Sequence, residues 1–191
     1  FPPAGKEPFV LSAGRLWDGA KNLATLAAAA SNLPWPVRVA GPTTPPDGVA
    51  AAANGVRHVE TLGELAPAEL AAQLARASIY ALPARYEPFG LSALEAALAG
   101  CALVLGDIPS LREVWGDAAT FVPPDDVEAL TGAVIALAVD DARRSRAAAS
   151  ARARALHFTP ERMLGGYLRA YELAAARGGP TRDTREASCV S

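Results

Sequence analysis

The chain has 191 residues, of which 51% are hydrophobic, so it can bury a full core and is most simply a single domain. Its formal net charge of −2 gives no reason to expect binding to nucleic acid or to a bulk anionic membrane surface. Two cysteines, Cys101 in an apolar segment and Cys189 near the end, are too few for a disulfide framework and favour a reducing, cytoplasmic environment.

The ends of the chain set its expected domain organisation. No stretch approaches the roughly 18 apolar residues of a membrane span, and no signal peptide opens the chain. Because the only methionine is Met163, we expect a fragment or processed piece of a longer protein. Residues 1–8 are predicted to be a linker and residues 9–177 the folded domain. Residues 178–191 lack periodicity and are predicted to form a disordered tail.

Short β-branched runs alternate with alanine-rich helical stretches along the first part of the chain. This alternation is typical of a parallel sheet covered on both faces, so we predict a doubly wound α/β fold. The predicted strands are Phe9 to Ala13, Val37 to Ala40, Val56 to Glu60, Ser78 to Leu82, Ala102 to Leu105 and Thr120 to Val122. The predicted helices between them are Asn22 to Ala30, Pro67 to Ala77, Gly90 to Ala99 and Ser110 to Trp115.

After Pro124 the pattern turns helical and continues to roughly Ala175. Asp125 and Asp126 are candidates for the residue that caps the start of this helical region. Five arginines in it fit a solvated helical face better than a face lying against a membrane. They are Arg143, Arg144, Arg146, Arg152 and Arg154.

The loop after the first strand carries two cations, Arg15 and Lys21, behind Gly14. In an open α/β sheet, ligands bind where loops leave the carboxyl ends of the strands. Glycine lets the backbone turn tightly and approach a ligand, arginine offers a fork to phosphate oxygens, and lysine offers a mobile point charge. Taken alone, the loop is explained more simply as solvated surface.

A second segment runs from a loop into an apolar helix and carries two carboxylates, Glu87 and Glu95, with seven residues between them. Between the carboxylates, the backbone amides of Phe89, Gly90 and Leu91 lie at the predicted start of the helix, where an anion is favoured. This spacing lets one carboxylate meet the far end of a ligand and the other its near end. We interpret the segment as one half of a nucleotide-sugar site.

Glu95 is the only charge in the helix that follows. Leu91, Leu94 and Leu98 form an apolar stripe that we expect to face the core. A carboxylate needs a partner if it is buried there, and otherwise it is an ordinary surface residue. For Glu87 the alternative is a loop carboxylate that interacts with the helix dipole.

Several short motifs follow one another in a fixed order along the chain. They are Gly14-Arg15-Leu16, Lys21-Asn22, Leu62-Gly63, the stretch from Ala81 to Leu91, Glu95-Ala96 and the stretch from Pro109 to Glu113. In this order they resemble the family 4 (group 1) glycosyltransferases, which are retaining enzymes with two Rossmann-like domains. The resemblance covers roughly residues 9 to 175 and identifies the chain with the carboxyl-terminal, donor-binding domain.

The resemblance implies roles for the two cations and for Glu87. Arg15 and Lys21 would hold the donor diphosphate and stabilise the charge that it gains as the sugar leaves. Glu87 would contact hydroxyls of the transferred sugar, next to the amides of the following loop. The three residues are therefore the expected catalytic group.

The rest of the donor would lie along neighbouring loops. Glu95 would accept hydrogen bonds from the ribose hydroxyls, and the Glu60 to Leu65 loop would contact the nucleobase through its backbone. The resemblance implies no metal and no cofactor other than the nucleotide-diphosphate sugar. His58 and His157 lie far apart in the sequence, without Cys or Asp at metal-ligand spacing.

The sequence departs from the family pattern at three places. Arg15 and Lys21 are six residues apart where family members often show five, so the lysine position is the less secure of the two. Pro88 stands where glycine is common and removes one amide donor just before the helix. Pro160 replaces the usual tryptophan at the start of the last helix.

Family members carry the acceptor site on an amino-terminal domain, which this sequence lacks. We therefore expect the chain to bind donor and to transfer nothing by itself. The last helix has residues at helical spacing that fit packing either against that missing domain or on this domain's own core. They are Met163, Tyr167, Ala170, Tyr171 and Ala174.

Three other functions compete with this interpretation. A non-catalytic nucleotide-sugar-binding or subunit module would keep the same fold and residues. A sugar-phosphate phosphorylase would use the same domain with a different phosphate substrate. A Rossmann oxidoreductase is disfavoured, because no Gly-x-Gly-x-x-Gly follows the first strand and no acidic residue ends the second.

Overall fold

The structure is a computed structural model and describes residues 5–45 and 58–177. The chain divides into two compact units, one up to Leu156 and the other from His157. The predicted tail lies outside the described residues, as do residues 1–4 of the predicted linker. Among the described residues, no helix combines the length and the apolarity needed to cross a membrane.

The first unit is built on a six-stranded sheet in which every neighbouring pair is parallel. The strands in chain order are β1 (Glu7–Ala13), β2 (Val37–Ala40), β3 (Val59–Gly63), β4 (Ala77–Leu82), β5 (Ala102–Gly106) and β6 (Thr120–Val122). Their spatial order is β3-β2-β1-β4-β5-β6, which is the doubly wound order of Rossmann-like domains. The predicted fold class is therefore confirmed. The third strand runs later than predicted, and Val56 lies outside the described residues.

Helices connect the strands and follow the last one. In the first unit they are α1 (Leu23–Ala30), α2 (Pro67–Arg76), α3 (Leu91–Leu98), α4 (Pro109–Trp115), α5 (Val127–Val139) and α6 (Asp141–Ala155). The second unit contains α7 (Pro160–Arg177). A short 3₁₀ turn, Gly19–Lys21, precedes α1, and another, Gly116–Ala118, follows α4.

The core of the first unit lies between the central strands and two helices. β4 and β5 are buried along their whole length, as expected for parallel strands with both faces covered. Side chains of β1, β2, β4 and β5 pack against α1 and α5 in one apolar cluster. Its members include Val10, Val39, Ile79, Val104, Leu26, Leu130, Val134 and Leu137.

The helical region after Pro124 is interrupted, so the prediction of a continuous pattern was wrong. Asp140 ends α5, and its side chain accepts a hydrogen bond from the Arg143 amide at 2.8 Å to begin α6. Of the two capping candidates, Asp126 caps α5 by accepting from the Ala129 amide at 2.8 Å. Asp125 instead forms an ion pair with Arg85.

The face that α3 turns inward also differs from the prediction. Leu91 is 68% exposed, whereas Ala93, Ala96 and Ala97 are buried. The alanine face lets α3 pack closely on β4, β5 and α6. Because this short helix carries apolar residues on both faces, periodicity alone could not select the buried one.

Three of the α6 arginines bind other parts of the first unit and are more than a solvated face. Arg144 lies 4.9 Å from the ring centroid of Trp35 and donates to the Leu137 carbonyl at the end of α5. Arg154 donates to the Val114 carbonyl at 2.6 Å, and Arg152 donates to the Leu98 carbonyl at the end of α3. Cations are favoured at helix carboxyl ends because the last carbonyls are unpaired there.

The amino-terminal edge of the sheet holds a cysteine and a lysine. Cys101 is fully buried, and its sulfur lies 3.3 Å from the Leu74 carbonyl oxygen and 3.2 Å from the Ala77 carbonyl oxygen, so its single S–H can donate to either. The Lys6 amine lies 3.7 Å from the Cys101 sulfur and donates to the Ala77 and Ala99 carbonyls. Burial raises the pKa of the Cys101 thiol to about 11, although Lys6 opposes that change.

Candidate functional site

The site lies at the carboxyl edge of the sheet, between β1 and β4. These strands are neighbours, but the chain leaves β1 toward β2 and leaves β4 toward β5 on the opposite side. A crevice opens at such a reversal of strand order, and ligands of open α/β domains bind there. The loops after β1 and β4 are the ones that carry the residues singled out in the sequence.

Glycine permits close approach of neighbouring loops at this edge. Gly14 follows β1, and its amide donates to the Ala40 carbonyl at the end of β2 at 3.0 Å. Gly41 has φ +137°, and a Cβ built on it would lie 1.8 Å from the Gly14 carbonyl oxygen. Only glycine therefore fits at position 41, and the backbone around Gly14 is held against β2.

An ion pair joins the two loops. The Lys21 Nζ lies 2.5 Å from Glu87 Oε2, and the side chains are only 17% and 13% exposed, respectively. The other carboxylate oxygen of Glu87 accepts from the Gly90 amide at 3.0 Å, and the Glu87 carbonyl accepts from the Ser110 hydroxyl at 2.6 Å. Glu87 thereby connects the lysine to the start of α3.

The start of α3 presents backbone donors beside this pair. Gly90 is the buried residue before the helix and adopts a left-handed conformation with φ +85°. The backbone amides of the first turn of α3, starting at Leu91, have no carbonyl acceptor within the helix, as at any helix start. Together with Lys21 they favour a negatively charged group. Phe89 lies half-buried in the same loop.

Arg15 lies at the outer side of the first loop and is 58% exposed. Its guanidinium lies 2.7 Å from Asp18 Oδ2 and 5.4 Å from the centroid of the Trp17 ring. Asp18 also accepts from the Ala20 amide at 3.0 Å and so caps the turn that carries Lys21. Burial tends to raise the pKa of Asp18, but the hydrogen bonds from Ala20 and Arg15 and the positive charges of Arg15 and Lys21 together leave the pKa below its ordinary value.

Glu95 lies on the exposed side of α3, which keeps its carboxylate accessible to a ligand. The structure therefore brings Lys21, Glu87 and Gly90 together and leaves Arg15 and Glu95 at the exposed margin. Among residues 5–45 and 58–177, no group of three or more His, Cys, Asp or Glu side chains could hold a metal ion.

Sequence reasoning missed three residues that tie the site loops together, namely Asn22, Arg85 and Asp125. Asn22 is buried with φ +58°, and its amide nitrogen lies within hydrogen-bonding distance of Pro83, Pro124 and Asp125 oxygens. Arg85 donates to Asp125 and to the Gly19 carbonyl. The available signal was the Lys21-Asn22 dipeptide, because asparagine tolerates left-handed backbone at a helix boundary.

Comparison with known proteins bears on what this edge of the sheet does. The family model described as Glycosyl transferases group 1 matches residues 7–140, which contain both site loops, the ion pair and Glu95. This chain belongs to the group 1 glycosyltransferases. The predicted resemblance to group 1 glycosyltransferases is thereby confirmed.

Two curated relatives of this group 1 chain are glycosyltransferases. A glycogen synthase of Mycobacterium tuberculosis is 43% identical over 101 residues, covering 52% of this chain and 24% of the relative. The O-antigen chain mannosyltransferase B of Escherichia coli is 34% identical over 115 residues, covering 60% of this chain and 30% of the relative. The two relatives differ in named activity, so they do not specify a sugar.

A solved relative supports the same fold. The sucrose-phosphate synthase of Thermosynechococcus elongatus superposes with a TM-score of 0.76 and 28% identity. The match covers 88% of this chain and 46% of that protein. The group 1 chain therefore spans less than half of the length of each of these three relatives.

Proposed function

We propose that this chain is the carboxyl-terminal, donor-binding domain of a family 4 retaining glycosyltransferase. It would bind a nucleotide-diphosphate sugar without a metal and would work in the cytoplasm with an amino-terminal acceptor domain. The observation that carries this proposal is the Lys21–Glu87 pair, which lies at the switch point of the sheet beside the start of α3. The chain covers only part of the length of its relatives, which supports the expectation of a second domain.

Lys21 and the first amides of α3 form the proposed diphosphate subsite. A charge-assisted hydrogen bond contributes roughly 1.5–3 kcal/mol, so a few such donors can bind a diphosphate. When the anomeric bond breaks, the leaving diphosphate gains negative charge. Donors that are already oriented toward that charge stabilise the transition state more than the ground state. Lys21 is well suited to this task because its turn is capped and its amine is already oriented.

Glu87 is the proposed sugar contact. Its carboxylate already accepts from Lys21 and from the Gly90 amide, so its position is fixed before any ligand arrives. A fixed carboxylate can accept hydrogen bonds from the hydroxyls of the transferred sugar without an ordering cost. We expect Lys21 to keep its contact with Glu87 and to donate a further hydrogen bond to a phosphate oxygen, since its ammonium group has three N–H donors.

The outer residues complete the proposed donor site. Arg15 is exposed and its contacts are local, to Asp18 and to the Trp17 ring, so it can rotate onto the diphosphate. Glu95 is exposed on α3 and is proposed to accept the ribose hydroxyls. The segment from Glu60 to Leu65, of which residues 60–63 belong to β3 and not to a loop, is proposed to contact the nucleobase through its backbone. The family 4 resemblance implies that the anomeric configuration of the sugar is retained in the transfer.

Calorimetric titration of the chain tests the proposal. UDP, GDP, ADP and their sugar conjugates are added in turn, with EDTA present to remove divalent metals. We expect one base series to bind with micromolar-scale affinity, and Lys21→Ala to abolish most of that binding. Binding of none of these ligands would contradict a working donor site and would favour a non-catalytic module.

Transfer itself requires the full-length protein. The gene's complete product, incubated with the donor series found by calorimetry, should release nucleoside diphosphate when acceptor is present. Glu87→Gln should remove that release. A full-length protein that binds donor but transfers nothing to any acceptor would favour the binding-module alternative.

A further inference from the structure

We propose that Asn22 is a positioning residue that holds Lys21 against Glu87, so that the site is ordered before the ligand binds. Its effect on ligand binding rests on the proposed function, but its effect on Lys21 does not. Asn22 is only 1% exposed, although it follows an accessible loop. A buried amide side chain persists only when its polar atoms are paired, and those of Asn22 are.

Asn22 joins three separate loops through one side chain. Its Nδ2 lies 3.1 Å from the Pro83 carbonyl after β4 and 2.6 Å from the Pro124 carbonyl after β6. The same nitrogen lies 3.2 Å from Asp125 Oδ1, and the Asn22 Oδ1 accepts from the Thr25 hydroxyl at 3.0 Å. The loops that carry Lys21 and Glu87 are thus held together at a point adjacent to the lysine.

Arg85 also binds the turn that carries Lys21. Its guanidinium donates to Asp125 at 2.7 Å and to the Gly19 carbonyl at 3.0 Å, while its backbone amide donates to the Ala20 carbonyl at 2.9 Å. Gly19 and Ala20 belong to the short turn that ends in Lys21. Asn22 and Arg85 therefore share Asp125 as a partner and together attach the lysine turn to the β4 loop.

The backbone of Asn22 directs Lys21 as well. Its left-handed conformation ends the turn, where its amide donates to the Gly19 carbonyl, and it begins α1 at the next residue. Loss of the side chain would leave the Pro83 and Pro124 carbonyls without this donor. The turn would then loosen, and Lys21 would leave Glu87 more often.

Amine labelling tests this without a ligand. The chain contains two lysines, so acetylation followed by peptide mass spectrometry reports Lys21 against Lys6 at the opposite edge of the sheet. Asn22→Gly keeps the left-handed backbone accessible while removing the amide, and Asn32→Gly, at the exposed end of α1, is the matched control. We expect Asn22→Gly to raise the labelling rate of Lys21 several-fold, because the loosened turn lets the amine leave Glu87 more often, with the rate of Lys6 unchanged.

Two labelling outcomes would overturn the proposal. One is an unchanged Lys21 rate, and the other is an equal rise at both lysines, which would mean that Asn22 only supports global stability. If Asn22→Gly does not fold by circular dichroism, Asn22→Asp replaces it. That variant keeps the acceptor for Thr25, loses the two amide donors, and brings a carboxylate to Asp125.

A double-mutant cycle links the positioning to ligand binding. The dissociation constant of the nucleoside diphosphate that binds the unmodified chain is measured for Asn22→Gly, Lys21→Ala and the combined variant. We expect Asn22→Gly to weaken binding several-fold alone and not at all in the Lys21→Ala background. Additive losses would contradict action through Lys21. If the unmodified chain binds no nucleotide, the proposed function fails, while labelling still decides the role of Asn22.

Discussion

Lys21 and Glu87 are 66 residues apart in the sequence, yet the lysine nitrogen lies 2.5 Å from the carboxylate. Both side chains are largely buried, and each satisfies the charge of the other. A partly buried charge left alone would carry a desolvation penalty, so the pair keeps the empty site stable. In the proposed donor complex the Lys21 amine would bind the diphosphate and the Glu87 carboxylate would bind the sugar, so the pair would couple recognition of the two halves of the donor.

Replacement of Glu87 by Gln should discriminate between the sugar and the diphosphate. Because Glu87 is proposed to contact the sugar, we expect affinity for the nucleotide sugar to fall about tenfold more than affinity for the free diphosphate, about 1.4 kcal/mol of difference. Calorimetry on both ligands measures this. Glu128→Gln, on the exposed side of α5, is the matched control. Equal losses for both ligands would make Glu87 a purely structural carboxylate.

Arg15→Ala should weaken diphosphate binding without unfolding the domain. The guanidinium is exposed and pairs only locally with Asp18, so its removal should change the free energy of unfolding by less than about 0.5 kcal/mol. We expect the dissociation constant to rise about three- to tenfold, as for one charge-assisted hydrogen bond in a solvated position. Arg143→Ala, exposed on α6, controls for loss of an arginine. An unchanged dissociation constant would remove Arg15 from the site.

Glu95→Gln should affect every ligand that contains ribose. Since the carboxylate is proposed to accept ribose hydroxyls, UDP, GDP and their sugar conjugates should lose affinity by a similar factor of about ten. The measurement is the same titration series, again compared with Glu128→Gln. A loss confined to sugar-bearing ligands would reassign Glu95 to the sugar.

Gly41→Ala should destabilise the edge of the sheet that holds the loop after β1. A Cβ at position 41 would meet the Gly14 carbonyl oxygen at 1.8 Å, so the backbone must shift. We expect a loss of about 2 kcal/mol or more in the free energy of unfolding by urea. Gly132→Ala, within α5 with nothing near its Cβ, should instead stabilise the protein by roughly 0.5–1 kcal/mol. Equal effects of the two substitutions would contradict the close approach.

Stability should fall at alkaline pH because of the buried Cys101 thiol. Its folded pKa of about 11 exceeds the ordinary value of 9.0, so below pH 9 the thiol is protonated in both states and its contribution is fully present. As the pH rises from 9 to 11 the unfolded state loses the proton first, and about 2 to 3 kcal/mol of stability is lost.

The Cys101→Ala variant isolates this contribution. Lys6 nearby has a pKa that burial lowers, which acts in the opposite direction, so the total pH dependence alone is not diagnostic. Urea unfolding across this pH range should show the stability difference between the unmodified chain and Cys101→Ala shrinking as pH rises. A difference that stays constant with pH would show that the thiol does not titrate in this range.

Much of this protein was readable from its sequence by itself. Alternating β-branched and alanine-rich runs predicted all six strands and the first four helices, because a buried parallel strand and an amphipathic helix leave different local periods. The order of the motifs around Lys21, Glu87 and Glu95 indicated the group 1 family, which the family model matching residues 7–140 confirmed.

The tertiary structure alone decided which of these residues meet. Lys21 contacts Glu87 because β1 and β4 become neighbours at the switch of strand order, and no local pattern encodes strand order. α3 buries its alanines and not Leu91 because the helix packs close to β4, β5 and α6, where only small side chains fit. The three acceptors near the Asn22 amide lie on the loops after β4 and β6, which are far from Asn22 in the sequence. Local periodicity determined the elements, whereas long-range packing and hydrogen bonding determined the geometry of the site.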